Sequence, residues 1–401
     1  MCRGACSQGR STRLSGKSPS SLTTEKIRPM GDEALFRPAI GPLVPYEPGK
    51  PVEEVQRELG LDRVVKLASN EGQFGPFPEA LDAIARGAPD LNRYPDGGAY
   101  RLRTALAGKH GVEFESVAVA AGADAVVMYL SLAVLDPGDE IVCGWPSFPS
   151  YVLDAIKLGA EPKRVPLTDF RYDVERILDE VGPRTKLVYL CNPNNPTGKM
   201  IPRAEVDAYF ERVPGHVLTV LDEAYFEYVD DADYPNGIEE YVKQGRRALV
   251  LRTFSKIYGL AGLRVGYGIG PPAVVEAIGK VRNAFDINQT AQDAALASVG
   301  NDDEIARRRG LTAAGRAQLE EACVRLGLRV AAPAVANFVY VEVGEDSRPI
   351  FDALLREGVI VRPLGPFGAP GAIRVTVGTG EENHLFAAAL ERVLESAKTV
   401  L

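Results

Sequence analysis

The stretch Thr253-Phe254-Ser255-Lys256, followed after five residues by Gly262-Leu263-Arg264, is the part of this sequence that decides the fold. An apolar run at residues 248–251 comes just before it and predicts a buried strand. Open α/β sheets bind ligands at the carboxyl ends of their strands. We therefore expect an α/β fold in which the hydroxyls and the lysine of this stretch emerge together in a binding site.

The residue types in this stretch suit a phosphorylated aldehyde. A lysine partly removed from water favours its neutral amine, the form that condenses with a carbonyl to give a Schiff base. The hydroxyls of Thr253 and Ser255 and the guanidinium of Arg264 are donors that match a phosphate. The stretch alone is also compatible with an ordinary loop, so its interpretation depends on the residues upstream.

Two further apolar runs, at residues 186–191 and 217–221, precede the first one at nearly constant spacing. Such runs, separated by helical stretches, predict βαβ units of a parallel sheet. Each run ends in polar residues, which are Asn192-Pro193-Asn194-Asn195-Pro196-Thr197-Gly198 after the first and Asp222-Glu223-Ala224-Tyr225 after the second. Three polar clusters at one edge of one sheet predict a site.

A pyridine aldehyde phosphate needs an amine, an anion at the ring nitrogen, donors at the phenolic oxygen and a phosphate cup. Lys256 supplies the amine, and we assign Asp222 to the ring nitrogen. Tyr225 and Asn195 are the candidate donors to the phenolic oxygen.

Two positions nearer the N-terminus complete the candidate site. Ala123 and Asp124 follow a predicted strand and begin a predicted helix, whose free N–H groups bind anions. A simple capped helix start is the alternative. Phe148 lies beyond the end of another predicted strand, where it either packs in the core or stacks on a ring.

These motifs, in this order and spacing, resemble the pyridoxal-phosphate aminotransferases of fold type I. Over roughly residues 40 to 395 the sequence is similar to the histidinol-phosphate aminotransferase family in particular. The segments that carry this similarity are Pro45-Tyr46, Pro48-Gly49-Lys50, Lys66 to Glu71, Arg93-Tyr94-Pro95, Ala336-Asn337-Phe338, Val361-Arg362-Pro363 and Ile373 to Thr379.

The resemblance implies pyridoxal 5'-phosphate as the cofactor, with Lys256, Asp222 and Tyr225 in the catalytic roles. Tyr94 would reach into the site of a neighbouring subunit, which implies a homodimer. Arg374 would bind the anionic group of the substrate, with Arg362 nearby; a surface salt bridge is the alternative for each arginine. Tyr46, Asn70 and Asn337 are the other implied substrate-binding residues.

The fold implied is a large domain with a mostly parallel seven-stranded sheet and a smaller α+β domain built from both chain ends. Residues 30–75 would form an N-terminal arm and part of the small domain, 76–283 the large cofactor-binding domain and 284–401 the small domain. Residues 1–29, with six basic residues and one acidic residue, are expected to be a disordered or misassigned leader.

The predicted reaction moves the amino group of histidinol phosphate to 2-oxoglutarate, giving imidazole acetol phosphate and glutamate in histidine biosynthesis. The alternative is an aromatic amino acid aminotransferase acting on phenylalanine or tyrosine. The sequence departs from the family pattern at Gly72-Gln73-Phe74, Gly122 to Ala125 and Ala284 to Asn288. Phe74 in particular is a candidate lining residue for an apolar ring pocket, which would favour the alternative.

Other classes of protein fit less well. Gly266, Gly268 and Gly270 precede a helix, but the third glycine is misplaced for a nicotinamide-dependent dehydrogenase. A transcription regulator would need a DNA-binding module, and the leader has no helix-turn-helix pattern, so no nucleic-acid partner is expected.

The composition of the chain further narrows the class of protein that the sequence can encode. The chain has 401 residues, 45% of them hydrophobic and 25% charged, which allows a large core. Its longest apolar run, at 125–135, is too short to cross a bilayer, so no membrane association is expected. Five scattered cysteines and three isolated histidines predict neither disulfides nor a metal site. A cytoplasmic enzyme fits these features.

Overall fold

The structure, a computed structural model, describes residues 35–41, 43 and 49–399. The predicted leader at 1–29 and the candidate substrate residue Tyr46 lie outside the described residues. Within the described part of the chain, no helix is both long and apolar enough to cross a membrane.

The helices and strands alternate along most of the chain. The helices are α1 Val52–Leu59, α2 Pro78–Gly87, α3 Tyr100–His110, α4 Ala123–Val134, α5 Pro149–Leu158, α6 Val174–Glu180, α7 Arg203–Arg212, α8 Pro272–Val281, α9 Gln289–Ser298, α10 Asp302–Arg325, α11 Arg348–Arg356 and α12 Gly380–Thr399. The strands are β1 Val65–Lys66, β2 Val117–Ala120, β3 Glu140–Trp145, β4 Glu161–Pro166, β5 Thr185–Cys191, β6 Leu218–Asp222, β7 Ala248–Thr253, β8 Gly266–Ile269, β9 Arg329–Val330, β10 Phe338–Glu342, β11 Val359–Ile360, β12 Arg362–Pro363 and β13 Ala372–Thr376.

Seven strands form one large sheet in the order β2-β8-β7-β6-β5-β3-β4. The neighbours from β7 to β4 are parallel, and β8 is antiparallel to both β7 and β2. β6 and β7 are buried along their whole length, as strands covered by helices on both faces must be. The predicted α/β fold with a mostly parallel seven-stranded sheet is confirmed.

The glycines of β8 have a packing role rather than a dinucleotide-binding one. A Cβ at Gly266 would lie 2.7 Å from the carbonyl carbon of Gly122, and one at Gly268 would lie 3.1 Å from Val126. The absence of side chains therefore lets the start of α4 press against the sheet. Because these glycines lie within a strand, the dehydrogenase interpretation of this stretch is wrong.

A second, smaller unit contains the antiparallel sheet β12-β13-β10-β9 and the parallel pair β1-β11. Its apolar core draws on both ends of the described chain, with Val55 and Val65 from the N-terminal side and Phe386 and Leu390 from α12. Pairing of β1 with β11 brings the segment after β1 alongside the C-terminal strands.

The division into domains at residues 75 and 283 stays a prediction. In the structure, Ala291 of α9 and Ile305 at the start of α10 belong to the core cluster of the large sheet. Leu319 and Cys323, near the end of α10, belong to the core of the smaller unit. We propose that the second boundary falls inside α10, because a helix whose two ends pack in different cores joins the two domains.

Candidate active site

A cavity of about 240 Å³ lies at the carboxyl edge of β5, β6 and β7, where the three polar clusters meet. Most of the predicted site residues line it together, namely Asn70, Ala123, Asp124, Phe148, Asn195, Asp222, Tyr225, Thr253, Ser255, Lys256, Arg264, Arg362 and Arg374. The same cavity is lined by residues that the sequence did not single out, among them Ser69, Ser150, Leu153, Cys191 and Phe367.

Lys256 follows β7 and lies largely buried at the cavity wall, with its Nζ 5.5 Å from the centre of the Tyr225 ring. Burial, together with the positive charges of Arg374 and Arg264, lowers the pKa of its amine to about 8. Gly72 packs against the Lys256 carbonyl oxygen, where a Cβ would lie only 2.9 Å away. The surroundings therefore favour the neutral, nucleophilic amine that the sequence predicted.

A cup of donors surrounds one end of the cavity. The Arg264 guanidinium lies 3.4 Å from the Ser255 Oγ, and the Ser255 N–H donates to the Thr253 Oγ1 at 3.1 Å. The first turn of α4 faces the same guanidinium across Gly122, whose φ is +92°. A Cβ there would lie 2.7 Å from a guanidinium nitrogen, so glycine is required for this close approach.

Asp222, the last residue of β6, is buried and held at both carboxylate oxygens. The Tyr151 hydroxyl donates to Oδ2, and the Ala224 N–H donates to Oδ1 at 3.1 Å. Burial raises the pKa of Asp222, and these two hydrogen bonds oppose the rise. Tyr151 is not among the predicted site residues; its only sequence signal is that it lies three residues after Phe148, in the first turn of α5.

The Tyr225 hydroxyl accepts a hydrogen bond from the Asn70 side-chain amide at 2.8 Å. The backbone of Asn70 has a φ of +53°, and its N–H donates to the Thr376 Oγ1 at 3.0 Å. Asn337 does not line the cavity; its amide donates to the Asn70 carbonyl at 3.1 Å. Asn337 is thus placed to hold Asn70 rather than to meet a substrate.

Arg362 and Arg374 lie opposite each other across the β12–β13 pair, and both line the cavity. Their relative exposures are 7% and 5%, so the alternative of surface salt bridges is wrong. Arg374 donates through Nη1 to the Asn195 Oδ1 at 2.5 Å and through Nη2 to the Ala68 carbonyl at 2.8 Å. Two guanidinium groups on adjacent strands form a natural anion subsite.

Two aromatic residues lie away from this cavity. Tyr94 is 81% exposed and stacks on Phe285, with ring centroids 4.5 Å apart. Phe74 packs against the Arg307 and Arg308 guanidinium groups of α10, each 5.2 Å from its ring centroid. Phe74 therefore does not line an apolar ring pocket. Its position gives no support to an aromatic substrate.

Comparison with known proteins agrees with this geometry. Residues 62–390 match the family model described as aminotransferase class I and II. The chain is 42% identical over 382 residues to the histidinol-phosphate aminotransferase of Moorella thermoacetica, covering 94% of this chain and 98% of that protein. It is 43% identical to histidinol-phosphate aminotransferase 2 of Carboxydothermus hydrogenoformans, covering 90% of this chain and 99% of that one.

A solved structure is similar over nearly the same length. The histidinol-phosphate aminotransferase of Sinorhizobium meliloti, in complex with pyridoxal-5'-phosphate, superimposes with a TM-score of 0.82 at 32% identity, covering 90% of this chain and 98% of that one. The resemblance seen in the sequence motifs is confirmed. The chain therefore belongs to the aminotransferase class I and II family and, within it, to the histidinol-phosphate aminotransferases.

Proposed function

We propose that the protein is a pyridoxal-phosphate-dependent aminotransferase that moves the amino group of histidinol phosphate to 2-oxoglutarate, giving imidazole acetol phosphate and glutamate. The observation that carries this proposal is one cavity that holds Lys256 and Asp222, a donor cup, and the two buried arginines of the anion subsite. Relatives named histidinol-phosphate aminotransferase, at 42–43% identity over most of the chain, support the substrate.

The donors of the cavity fit pyridoxal 5'-phosphate. The cup at Thr253, Ser255 and Arg264, with the first N–H groups of α4, would hold the phosphate. Asp222 would hold the ring nitrogen in its protonated form, which it can do because its carboxylate is buried and fixed in orientation. When bound, this cofactor supplies the electron sink that makes loss of the α-proton of an amino acid possible.

Within the same cavity, Asn195 and Tyr225 would hold the phenolic oxygen. Burial raises the pKa of the Tyr225 hydroxyl, so the hydroxyl keeps its proton at neutral pH and can donate it in a hydrogen bond. Phe148, which also lines the cavity, would stack on the ring. These roles divide the cavity into a cofactor side on the large sheet and a substrate side on the smaller unit.

Lys256 is the group placed to move protons. Burial lowers the pKa of its amine and so raises the share of neutral amine, the form that can take the α-proton of a bound substrate and return it at a second carbon. Arg374 and Arg362, at the other side of the cavity, would bind the phosphate of histidinol phosphate and then a carboxylate of 2-oxoglutarate. A guanidinium matches both anions, so the two substrates can use one site in turn.

Replacing Arg362 by alanine tests the substrate. Charge-assisted hydrogen bonds contribute roughly 1.5–3 kcal/mol each, and a dianionic phosphate uses more of them than a carboxylate. We expect kcat/KM for histidinol phosphate to fall on the order of a hundredfold, and that for phenylalanine to fall much less, with 2-oxoglutarate as the acceptor in both assays. A wild-type preference for phenylalanine, or an equal loss for both donors, would favour the aromatic alternative.

We also propose a two-fold homodimer in which Tyr94 serves the partner's site. The support is the exposed stack of Tyr94 on Phe285, which leaves two aromatic rings in water, 81% and 47% exposed. The cytoplasmic location stays a prediction from the sequence.

Mixing two inactive variants tests the shared site. Lys256→Ala chains and Tyr94→Ala chains are each expected to be impaired alone, because each lacks one of the groups a site needs. If subunits exchange, each mixed dimer contains one intact site, so an equal mixture should recover up to about a quarter of wild-type activity. A monomer by light scattering at the assay concentration, or no recovery in demonstrably mixed dimers, would contradict the shared site.

A further inference from the structure

The turn at residues 364–371 joins the two strands that carry Arg362 and Arg374. It is closed by hydrogen bonds to the Leu364 carbonyl from the N–H groups of Phe367, at 2.9 Å, and Ala369, at 3.0 Å. Leu364 itself donates to the Ala372 carbonyl at 3.0 Å. This tight path brings the buried Phe367 ring back to the wall of the cavity.

The Phe367 ring contacts both arginines of the anion subsite. Its centroid lies 5.7 Å from the Arg362 guanidinium carbon and 5.4 Å from that of Arg374. Phe338 approaches the Arg374 guanidinium at the same distance of 5.4 Å. Arginine stacks on aromatic faces without giving up its hydrogen-bonding edge, so such rings can fix where a guanidinium lies.

The turn is itself seated against the large sheet. Gly368 has a φ of +86°, and a Cβ at this position would lie 2.9 Å from Cε2 of the Trp145 indole. Trp145 is the last residue of β3 and the only tryptophan in the chain. The contact between Gly368 and Trp145 therefore joins the turn of the smaller unit to the large sheet beside the cavity.

We propose that Phe367 is a positioning residue for the substrate's anionic group, and that the seating of Gly368 on Trp145 holds Phe367 in place. The proposal rests on the proposed function, because it takes Arg362 and Arg374 to be the substrate's anion subsite. The ring lies against both guanidinium groups and so fixes where each of them lies. A phosphate that engages both groups depends on that alignment, whereas the proton transfer at Lys256 does not.

Phe367→Leu removes the ring but keeps an apolar side chain. We expect the KM for histidinol phosphate to rise about 3- to 30-fold, the range between an exposed and a desolvated cation–π contact, with kcat changed by less than about twofold. Phe367→Tyr, which restores the ring, should recover most of the loss in KM. The matched control is Phe170→Leu, which removes a ring from the same apolar cluster, where it contacts Tyr340 and Arg329 outside the cavity. It should leave KM unchanged.

Gly368→Ala gives a second test that needs no turnover. The added methyl group must lift the turn from the indole, so the emission of the single tryptophan should shift in the holoenzyme without substrate. The KM for histidinol phosphate should rise as in Phe367→Leu. Unchanged emission in Gly368→Ala, or an unchanged KM in a folded Phe367→Leu protein, would overturn the proposal. If the wild type does not turn over histidinol phosphate, the proposed function fails instead, and the emission shift still decides the seating of the turn.

Discussion

Lys256→Ala is expected to lose transamination activity by roughly four orders of magnitude or more, because no other amine lines the cavity in the described part of the chain. The fold should survive, since the substitution keeps the backbone of residue 256, whose carbonyl accepts from the Gly259 N–H at 3.0 Å. The measurement is a single turnover of histidinol phosphate, followed in the cofactor's absorbance. Lys199→Ala is a matched control, because the Lys199 amine donates to the Ala332 carbonyl outside the cavity.

Cofactor binding separates this loss from a general failure of the site. The cup at Thr253, Ser255 and Arg264 is intact in Lys256→Ala, so the variant should still bind pyridoxal 5'-phosphate, although more weakly and without a covalent bond. Near-normal turnover in this variant would rule out Lys256 as the group that holds the cofactor and carries the proton.

Asp222→Ala is expected to slow removal of the substrate α-proton by a factor on the order of a hundred to a thousand, the usual effect of removing a preorganised charge from an active site. Without the carboxylate nothing holds the proton at the ring nitrogen. Exchange of substrate α-deuterium with solvent measures this step directly. Exchange as fast as in the wild type would contradict the proposed role.

Two further variants show whether the effect belongs to Asp222 itself. Asp154→Ala removes another buried carboxylate, one that pairs with Lys157 outside the cavity, and it should leave the exchange rate unchanged. Tyr151→Phe removes only one hydrogen bond from the Asp222 carboxylate, so a smaller loss is expected. The order of the exchange rates in Asp222→Ala, Tyr151→Phe and Asp154→Ala tests both the charge of the Asp222 carboxylate and its orientation.

The cofactor side of the site could be predicted from the sequence because its residues follow a regular rule. Asn195, Asp222 and Lys256 each come shortly after an apolar run, and the carboxyl ends of parallel strands meet at one edge. The predicted strand at 217–221 is observed as Leu218–Asp222, which places the carboxylate at the strand's last residue. The spacing of the apolar runs was therefore enough to predict that these side chains lie close together.

The rest of the site depends on contacts that have no local pattern. Asn70 bonds to Thr376 across 306 residues, and no periodicity in either segment indicates this pairing. The Tyr151 hydroxyl reaches Asp222 from a helix whose sequence alone would suit simple core packing. The apolar side chain of Phe74 predicts an apolar pocket, but in the structure it packs against the guanidinium groups of Arg307 and Arg308.

Helix α10, whose ends lie in different cores, also has a mechanical consequence. Its 24 residues span about 36 Å. Near its start, Arg308 is tied to the Ile257 carbonyl at 2.9 Å, one residue after the lysine, and further along Arg316 is tied to the Ala336 carbonyl at 2.8 Å, just before β10. The helix thus links the backbone next to Lys256 to the sheet of the smaller unit. A rotation of about 5° at Arg308 would displace the far end of the helix, about 25 Å away, by about 2 Å, and the contact of Arg316 with Ala336 would pass part of that displacement to the sheet that carries both arginines.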